Sequence, residues 1–382
     1  MTRSLTNEQT KTLARIGAKL HLLGYETAPN DVVSVGPIVT AYRFTPKGKT
    51  KFSQLESLGD DLAIFLGVED VLIKRLPGES SVAFFIPNEV RHYIDFKDTV
   101  SDVWTSYKSP GGRINIPLNF GVDYLGKPFI EDLTTLPHLL IAGSTGAGKS
   151  TLMASIITSL AYVCTKDEVN LVLSDTKGVE FPRFHRLPHV LLTADSVVST
   201  LNQMDFLLGE VDSRLRAFAQ SKTRNISEYN ERGCKVHLGP HFPFIVFIID
   251  ELADLLTDQT KEENDDGKRV GKTRGRQCED KLATIVQKAR ATGIHVIAGT
   301  QRPSVDIVGG TIKANFPARL AFRLPTGTDS RTVLQTYGAE HLLSPGDMLY
   351  MSPSRPGLTR LHAPFTKNED IDAAVAMAEQ RR

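Results

Sequence analysis

The chain has 382 residues, and 45 lysines and arginines stand against 44 aspartates and glutamates for a formal net charge of +1. That length holds one large domain or about two to three ordinary ones, and 41% apolar with 23% charged residues is a globular composition, not a disordered one. No apolar run approaches the roughly 18 residues of a membrane span, the polar opening Met1–Gly24 is no secretory signal, and an isoelectric point near 7.8 makes no case for a broad basic face.

Thr6 and Gln9 form a capping box, and Leu13, Ile16, Leu20 and Leu23 recur on one helical face that Gly24 ends. Val32–Val35 and Ile38–Phe44 read as strands broken by Gly36-Pro37. Leu55, Leu58, Leu62 and Phe65-Leu66 return to helical spacing. Val71–Ile73 and Ser81–Ile86 read as strands around the turn Pro77-Gly78. This is a small α+β unit, expected to end at Lys108 before the breaker run Ser109-Pro110-Gly111-Gly112.

Beyond it, strand and helix signals alternate. Leu139–Ala142, Val169–Ser174, Phe244–Ile249 and Ile294–Ala298 are apolar strands. Between them, Leu152–Leu160, Leu201–Phe218 and Lys281–Thr292 have helical periodicity. Continuous apolar strands between helices imply an α/β domain whose mainly parallel sheet is covered on both faces. Cys164, Cys234 and Cys278 are odd in number and far apart, which fits a reducing, cytoplasmic setting and argues against a disulfide framework or zinc site.

Gly143-Ser144-Thr145-Gly146-Ala147-Gly148-Lys149-Ser150, followed by Thr151, fits G-x-x-x-x-G-K-[ST] between a strand and a helix. Glycines let backbone N–H groups turn inward around a polyanion, and the helix N-terminus adds its dipole. Lys149 is expected on the β- and γ-phosphates of ATP, and Ser150 on Mg²⁺. Gly267–Thr273 also contains G-K-T, but its glycine spacing is one residue short and no apolar strand precedes it. Phe244–Ile249 ends in Asp250-Glu251, so Asp250 is expected to hold Mg²⁺ opposite Ser150 and Glu251 to polarise the attacking water. Ile294–Ala298 leads to Thr300-Gln301. That strand is expected beside the phosphate-loop strand, with Gln301 near the γ-phosphate.

With those residues in place, the chain resembles the FtsK/SpoIIIE family of DNA translocase motors along nearly its whole length. The carriers are Leu136–Ala142 into the phosphate loop, Asp175-Thr176-Lys177 with Glu180, Arg224-Asn225-Ile226 with Tyr229-Asn230, and Asp250-Glu251-Leu252-Ala253-Asp254. Further along come Thr300–Asp306, Ile312–Pro317 with Arg319, Asp329–Thr332 and Gly346–Leu349. Gly36-Pro37, Val39-Thr40, Tyr42, Asp60–Ala63 and Pro77-Gly78 look like the family's small α domain. Thr176 stands where the family usually has proline, and Gln335–Gly338 and His341 also depart from its pattern.

The resemblance implies a small α domain, residues 1–108, ahead of a RecA-like P-loop NTPase domain, residues 109–382. It implies a homo-hexameric ring threaded by double-stranded DNA, with ATP between subunits. Arg319 is then the candidate finger reaching a neighbour's γ-phosphate, and Arg331, Arg355 and Lys313 are candidate DNA contacts. The family's cell-division members carry a membrane anchor and a C-terminal winged-helix reader. Neither is seen in these residues, so a motor without its own membrane span is expected. The charged stretch Asp258–Asp280 reads as a solvated surface loop, or as a channel or inter-subunit loop. Two other functions fit parts of the pattern: a secretion or conjugation coupling ATPase, and a nucleotide-gated assembly protein.

Overall fold

A computed structural model describes residues 6–30, 33–76, 79–108, 115–236, 241–263, 269–343 and 345–381. The strands in chain order are β1 (Thr27–Pro29), β2 (Ser34–Val35), β3 (Val39–Pro46), β4 (Leu72–Arg75), β5 (Val82–Pro87), β6 (Pro117–Asp123), β7 (Pro128–Asp132), β8 (His138–Ala142) and β9 (Val169–Ser174). They continue with β10 (Val190–Ala194), β11 (Phe244–Ile249), β12 (Glu262–Glu263), β13 (Arg269–Val270), β14 (Ile294–Thr300), β15 (Ala318–Phe322), β16 (Asp347–Ser352) and β17 (Arg355–His362).

In the first unit the capping box forms as expected. Helix Asn7–Leu22 buries Leu13, Ile16 and Leu20, whereas Leu23 falls past the helix end and is largely exposed. The helix covers a five-stranded antiparallel sheet in the order β1-β3-β5-β4, with β2 also on β3. One face of that sheet packs Phe44 and Phe84 edge to face at 5.2 Å over Ile16 and Leu62. The other face puts Ala41, Leu72, Ala83 and Phe85 against the second unit. Both faces are covered, so β5 is buried nearly throughout. Pro77-Gly78, expected as a turn, lies outside the described residues.

The second unit is built on a ten-stranded sheet, β10-β9-β11-β14-β8-β15-β16-β17-β6-β7. From β10 through β15 neighbouring strands are parallel, and from β15 through β7 they are antiparallel. The α/β expectation holds in the parallel half, whose side chains alternate between two layers. Leu139 and Ile141 pack with helix Lys149–Val163, while Leu140 and Ala142 pack with the helices Val197–Ser221 and Arg274–Thr292. Fully burying each such Leu or Ile contributes about 1.5–3 kcal/mol.

Two expectations are corrected here. Helix Phe96–Lys108 was assigned to the small unit, but its Val103 and Tyr107 sit in the core formed by Ile116, Leu118 and Leu152. By packing it belongs to the large sheet, so the division falls before residue 96 and not after 108. The stretch Asp258–Asp280 is not a plain loop in its described part. β12 and β13 pair as a short ribbon, and Thr273 caps helix Arg274–Thr292 by accepting from Arg276 N. Two of the basic side chains there are paired: Lys272 with Asp280 at 2.6 Å and Arg276 with Glu279 at 2.6 Å. Among the described residues no helix is long and apolar enough to cross a membrane.

Candidate nucleotide-binding site

The phosphate loop joins β8 to helix Lys149–Val163 and is held from three sides. Gly143 N donates to Thr300 O at the end of β14, and Ser144 N donates to Arg323 O just past β15. Gly346 N donates to Ala147 O from the turn before β16. Gly148 has φ +117, and a Cβ there would sit 3.1 Å from both Gly346 N and the Phe322 ring. Only glycine serves at such a place.

β14 lies between β8 and β11, so the expected neighbour relation holds. Three adjacent strand ends therefore carry the loop, Thr300-Gln301 and Asp250-Glu251. Lys149 is 3% exposed, and its Nζ donates to Asp250 O at 2.5 Å and to Asp250 Oδ1 at 2.7 Å. A buried ammonium needs such partners, because desolvating it alone costs several kcal/mol. Gly299 lets the two approach: a Cβ there would meet Asp250 O at 2.5 Å and Lys149 Nζ at 3.1 Å.

Glu251 is also buried. Its carboxylate accepts from Thr300 Oγ1 at 2.8 Å, from Gln301 N at 2.9 Å and from Ala253 N at 3.3 Å. The last bond caps helix Leu252–Leu256. Gln301 Oε1 accepts from the Thr145 hydroxyl at 2.7 Å, which ties the polar strand tip to the phosphate loop.

Over the loop opens a cavity of about 530 Å³. Ser144, Thr145, Gly146, Gly148, Lys149, Ser150, Thr151 and Gln301 line it, and neither Asp250 nor Glu251 does. Lys149 covers the first acid, and the Thr300-Gln301 donors engage the second. The opposite wall was not seen in the sequence: Tyr93, His362 and Phe365. Phe365 N donates to Ile94 O at 2.7 Å and Phe96 N to Phe365 O at 2.9 Å, so two segments far apart in the chain meet there. Burial pulls His362 down to about 4, which leaves its ring neutral near pH 7.

Glu180 also reaches the cavity, from the loop after β9. Asp175 shapes that loop by accepting from the backbone N–H groups of Lys177, Gly178, Glu180 and Phe181 at 2.7–3.2 Å. Thr176, at the place of the family's proline, donates from its hydroxyl to Asp254 at 3.3 Å, and Lys177 pairs with the same carboxylate at 3.7 Å.

Arg319 departs from expectation. It is 3% exposed in mid-strand, and its guanidinium donates to Phe316 O at 2.9 Å, Val333 O at 3.0 Å and Lys313 O at 2.6 Å. These carbonyls lie at the ends of helices Gly310–Asn315 and Gly327–Leu334, where a cation is favoured. With those donors spent inside its own chain, it positions two helices and is not disposed as a finger. Of the other basic candidates, Lys313 is half-buried on the first of these helices. Arg331 is exposed on the second, 5.3 Å over the Tyr337 ring. Arg355 pairs with Glu131 at 2.8 Å, at the far end of β17 from the cavity.

A strand–loop–helix phosphate cradle, with an acid-tipped strand two places away in a parallel sheet, defines a P-loop NTPase of RecA-like layout. Comparison with known proteins then gives the family. Residues 101–305 match the FtsK/SpoIIIE family model and residues 2–88 the FtsK alpha domain model. The chain is 38% identical to the DNA translocase FtsK of Campylobacter jejuni over 90% of its length, and 36% identical to that of Halalkalibacterium halodurans over 97%. It belongs to the FtsK/SpoIIIE family. It spans 35% and 45% of the length of those two relatives. Among solved structures, the pCW3 conjugation coupling protein TcpA matches 97% of this chain and 100% of its own at TM-score 0.65 and 21% identity. The cytoplasmic domain of the Thermomonospora curvata type VII secretion ATPase EccC matches 73% of this chain and 32% of its own at TM-score 0.61 and 22% identity.

Proposed function

We propose that this chain hydrolyses ATP and uses the turnover to move double-stranded DNA, working in the cytoplasm as one subunit of a homo-hexameric ring. The observation that carries the reading is the convergence of Lys149, Asp250, Glu251 and Gln301 at three adjacent strand ends, in a chain whose relatives are named DNA translocases.

The loop backbone from Gly143 to Thr151 cradles the phosphates, and Lys149 turns from Asp250 to them. The Ser150 hydroxyl and the Asp250 carboxylate are hard oxygen donors that suit Mg²⁺. Bound there, the ion supplies positive charge against the β- and γ-phosphates. Glu251, fixed by three donors, orients the attacking water, and Gln301 reports the γ-phosphate to the loop through Thr145. Lys313 and Arg331, on the two helices that Arg319 ties together, supply phosphate contacts to DNA. Such contacts fix position and not sequence, and their strength falls with salt.

The test is steady-state hydrolysis with and without linear duplex DNA across a salt series. Stimulation that fades with salt is expected, and a rate indifferent to DNA at every salt concentration overturns the reading. A second reading, a conjugation or secretion coupling ATPase, draws on the whole-length fold match to TcpA. Stimulation by a protein substrate and not by DNA would select it.

A further inference from the structure

Away from the nucleotide cavity, three metal-binding side chains from distant parts of the sequence meet where the small unit touches the large one. Asp60 comes from the first turn of helix Gly59–Leu66, Asp70 from the loop before β4, and His341 from the turn Ala339–His341. One ligand atom of each lies within 4.8 Å of the others. His341 Nδ1 is 3.1 Å from Asp70 Oδ2 and 3.9 Å from Asp60 Oδ1.

We propose that Asp60, Asp70 and His341 form a binding site for a divalent transition-metal ion of the zinc class, which staples the small unit to the large one. Zinc takes imidazole nitrogen at about 2.0–2.1 Å and carboxylate oxygen at about 2.0–2.2 Å, and tetrahedral ligands at that radius stand about 3.3 Å apart. The Asp70–His341 separation already meets that spacing. Asp60, 3.9 Å from His341 Nδ1 and within 4.8 Å of Asp70, must move inward, and its side chain, 84% exposed, is free to do so.

A second observation points to a ligand. The other oxygen of Asp70, Oδ1, is shut off from solvent and has no hydrogen-bond partner. The Asp70 side chain as a whole is 19% exposed and its Oδ2 already accepts from His341 Nδ1, so Oδ1 alone lacks a partner, and a cation shared by the carboxylate would satisfy it. The far side of the imidazole is also prepared. Glu340 Oε1 lies 3.8 Å from His341 Nε2, and the other Glu340 oxygen is anchored by Gly338 N at 2.8 Å. In the metal-free chain His341 Nδ1 donates to Asp70 Oδ2, so an ion would take the place of that proton, and the Glu340 carboxylate offers the proton a place on Nε2, as second partners of metal-bound histidines do. Two carboxylates and one imidazole suit zinc, cobalt or manganese better than calcium, which prefers six or more oxygens. Water completes the set.

The experiment uses the full chain, stripped with chelator and dialysed without nucleotide or magnesium. Cobalt(II) and then zinc are titrated, reading visible d–d absorption, calorimetric stoichiometry and melting temperature. One equivalent bound with a rise in melting temperature is expected. Asp60→Asn, an exposed change that leaves the core untouched, should weaken binding at least tenfold, and His341→Ala should abolish the shift. No binding at millimolar metal overturns the proposal, leaving only an ion pair. So does binding that neither substitution changes.

Discussion

In the small unit, Lys74 is the one charged residue among those described that is buried, and its ammonium leaves the unit to reach Tyr337 O at 2.6 Å as well as its own Glu56 at 2.6 Å. In the large unit, Lys149, Asp175, Arg214, Asp250, Glu251 and Arg319 are all buried. A buried charge costs several kcal/mol unless its partners are in place. The antiparallel sheet spends its backbone groups on its own ladders and has few to offer. The parallel sheet ends in strand tips and helix termini whose N–H and C=O groups are free to partner charges, and there the reactive groups collect. Two uses result: in the proposed function Lys149, Asp250 and Glu251 serve a ligand, while Arg214, giving two bonds of 2.9 Å to Pro243 O and Thr292 O, and Arg319 hold the frame.

This contrast breaks first at Glu251. Glu251→Gln is expected to cut hydrolysis by about 10²–10³-fold while ATP still binds, measured by steady-state turnover beside equilibrium binding. Ile64→Ser, 82% exposed on the small unit, should leave turnover within about twofold. Next is the frame. Arg319→Met should cost about 3 kcal/mol in urea unfolding, because three carbonyls lose their donor. Exposed Arg331→Ala should stay within about 0.5 kcal/mol, yet lower the salt slope of DNA binding by about 1.

Acid separates the units more gradually. In the large unit burial lowers His138 to about 3, with His295 and Arg290 adding repulsion. Burial lowers His295 to about 4, with Asp132 opposing and Arg290 adding. The unfolded chain takes up protons at these positions below about pH 6.5, and the folded one resists until about 3–4. Their stability contribution is therefore whole above pH 6.5. It falls as pH drops toward 4, by about 1.4 kcal/mol per pH unit for each histidine. Urea midpoints at pH 7, 6 and 5 check this, and a flat series would refute it. Smallest is Lys74→Met, which should cost about 1 kcal/mol and speed amide exchange where the two units meet.

The phosphate loop was legible because its residues are contiguous and its strand and helix signals are strong. β8, β9, β11 and β14 were legible because sheets covered on both faces leave unbroken apolar runs. β6, β7, β16 and β17 were not. Asn119, Gly121, Glu131, Asp347 and Arg360 interrupt them, and their polar groups find partners only in the folded sheet, as Arg360 and Asp347 do at 2.5 Å. The wall of Tyr93, His362 and Phe365 is an encounter of segments more than two hundred residues apart, which no local pattern announces. Arg319 was read as a finger because a motif gives the residue and not its burial. Lys272, Arg276, Glu279 and Asp280 read as a charge run, yet Arg276 is spaced to pair with Glu279 and Asp280 on a capped helix, and Lys272 reaches Asp280 from just before the cap.

One carboxylate, Asp175, gathers four backbone donors of the loop that carries Glu180 to the cavity. At the start of the same loop Thr176 and Lys177 hold Asp254 on the helix that Glu251 begins, so one short segment touches both the cavity and the helix capped by the acid. Replacing Asp175 is expected to release the four N–H groups and loosen the tie between the two.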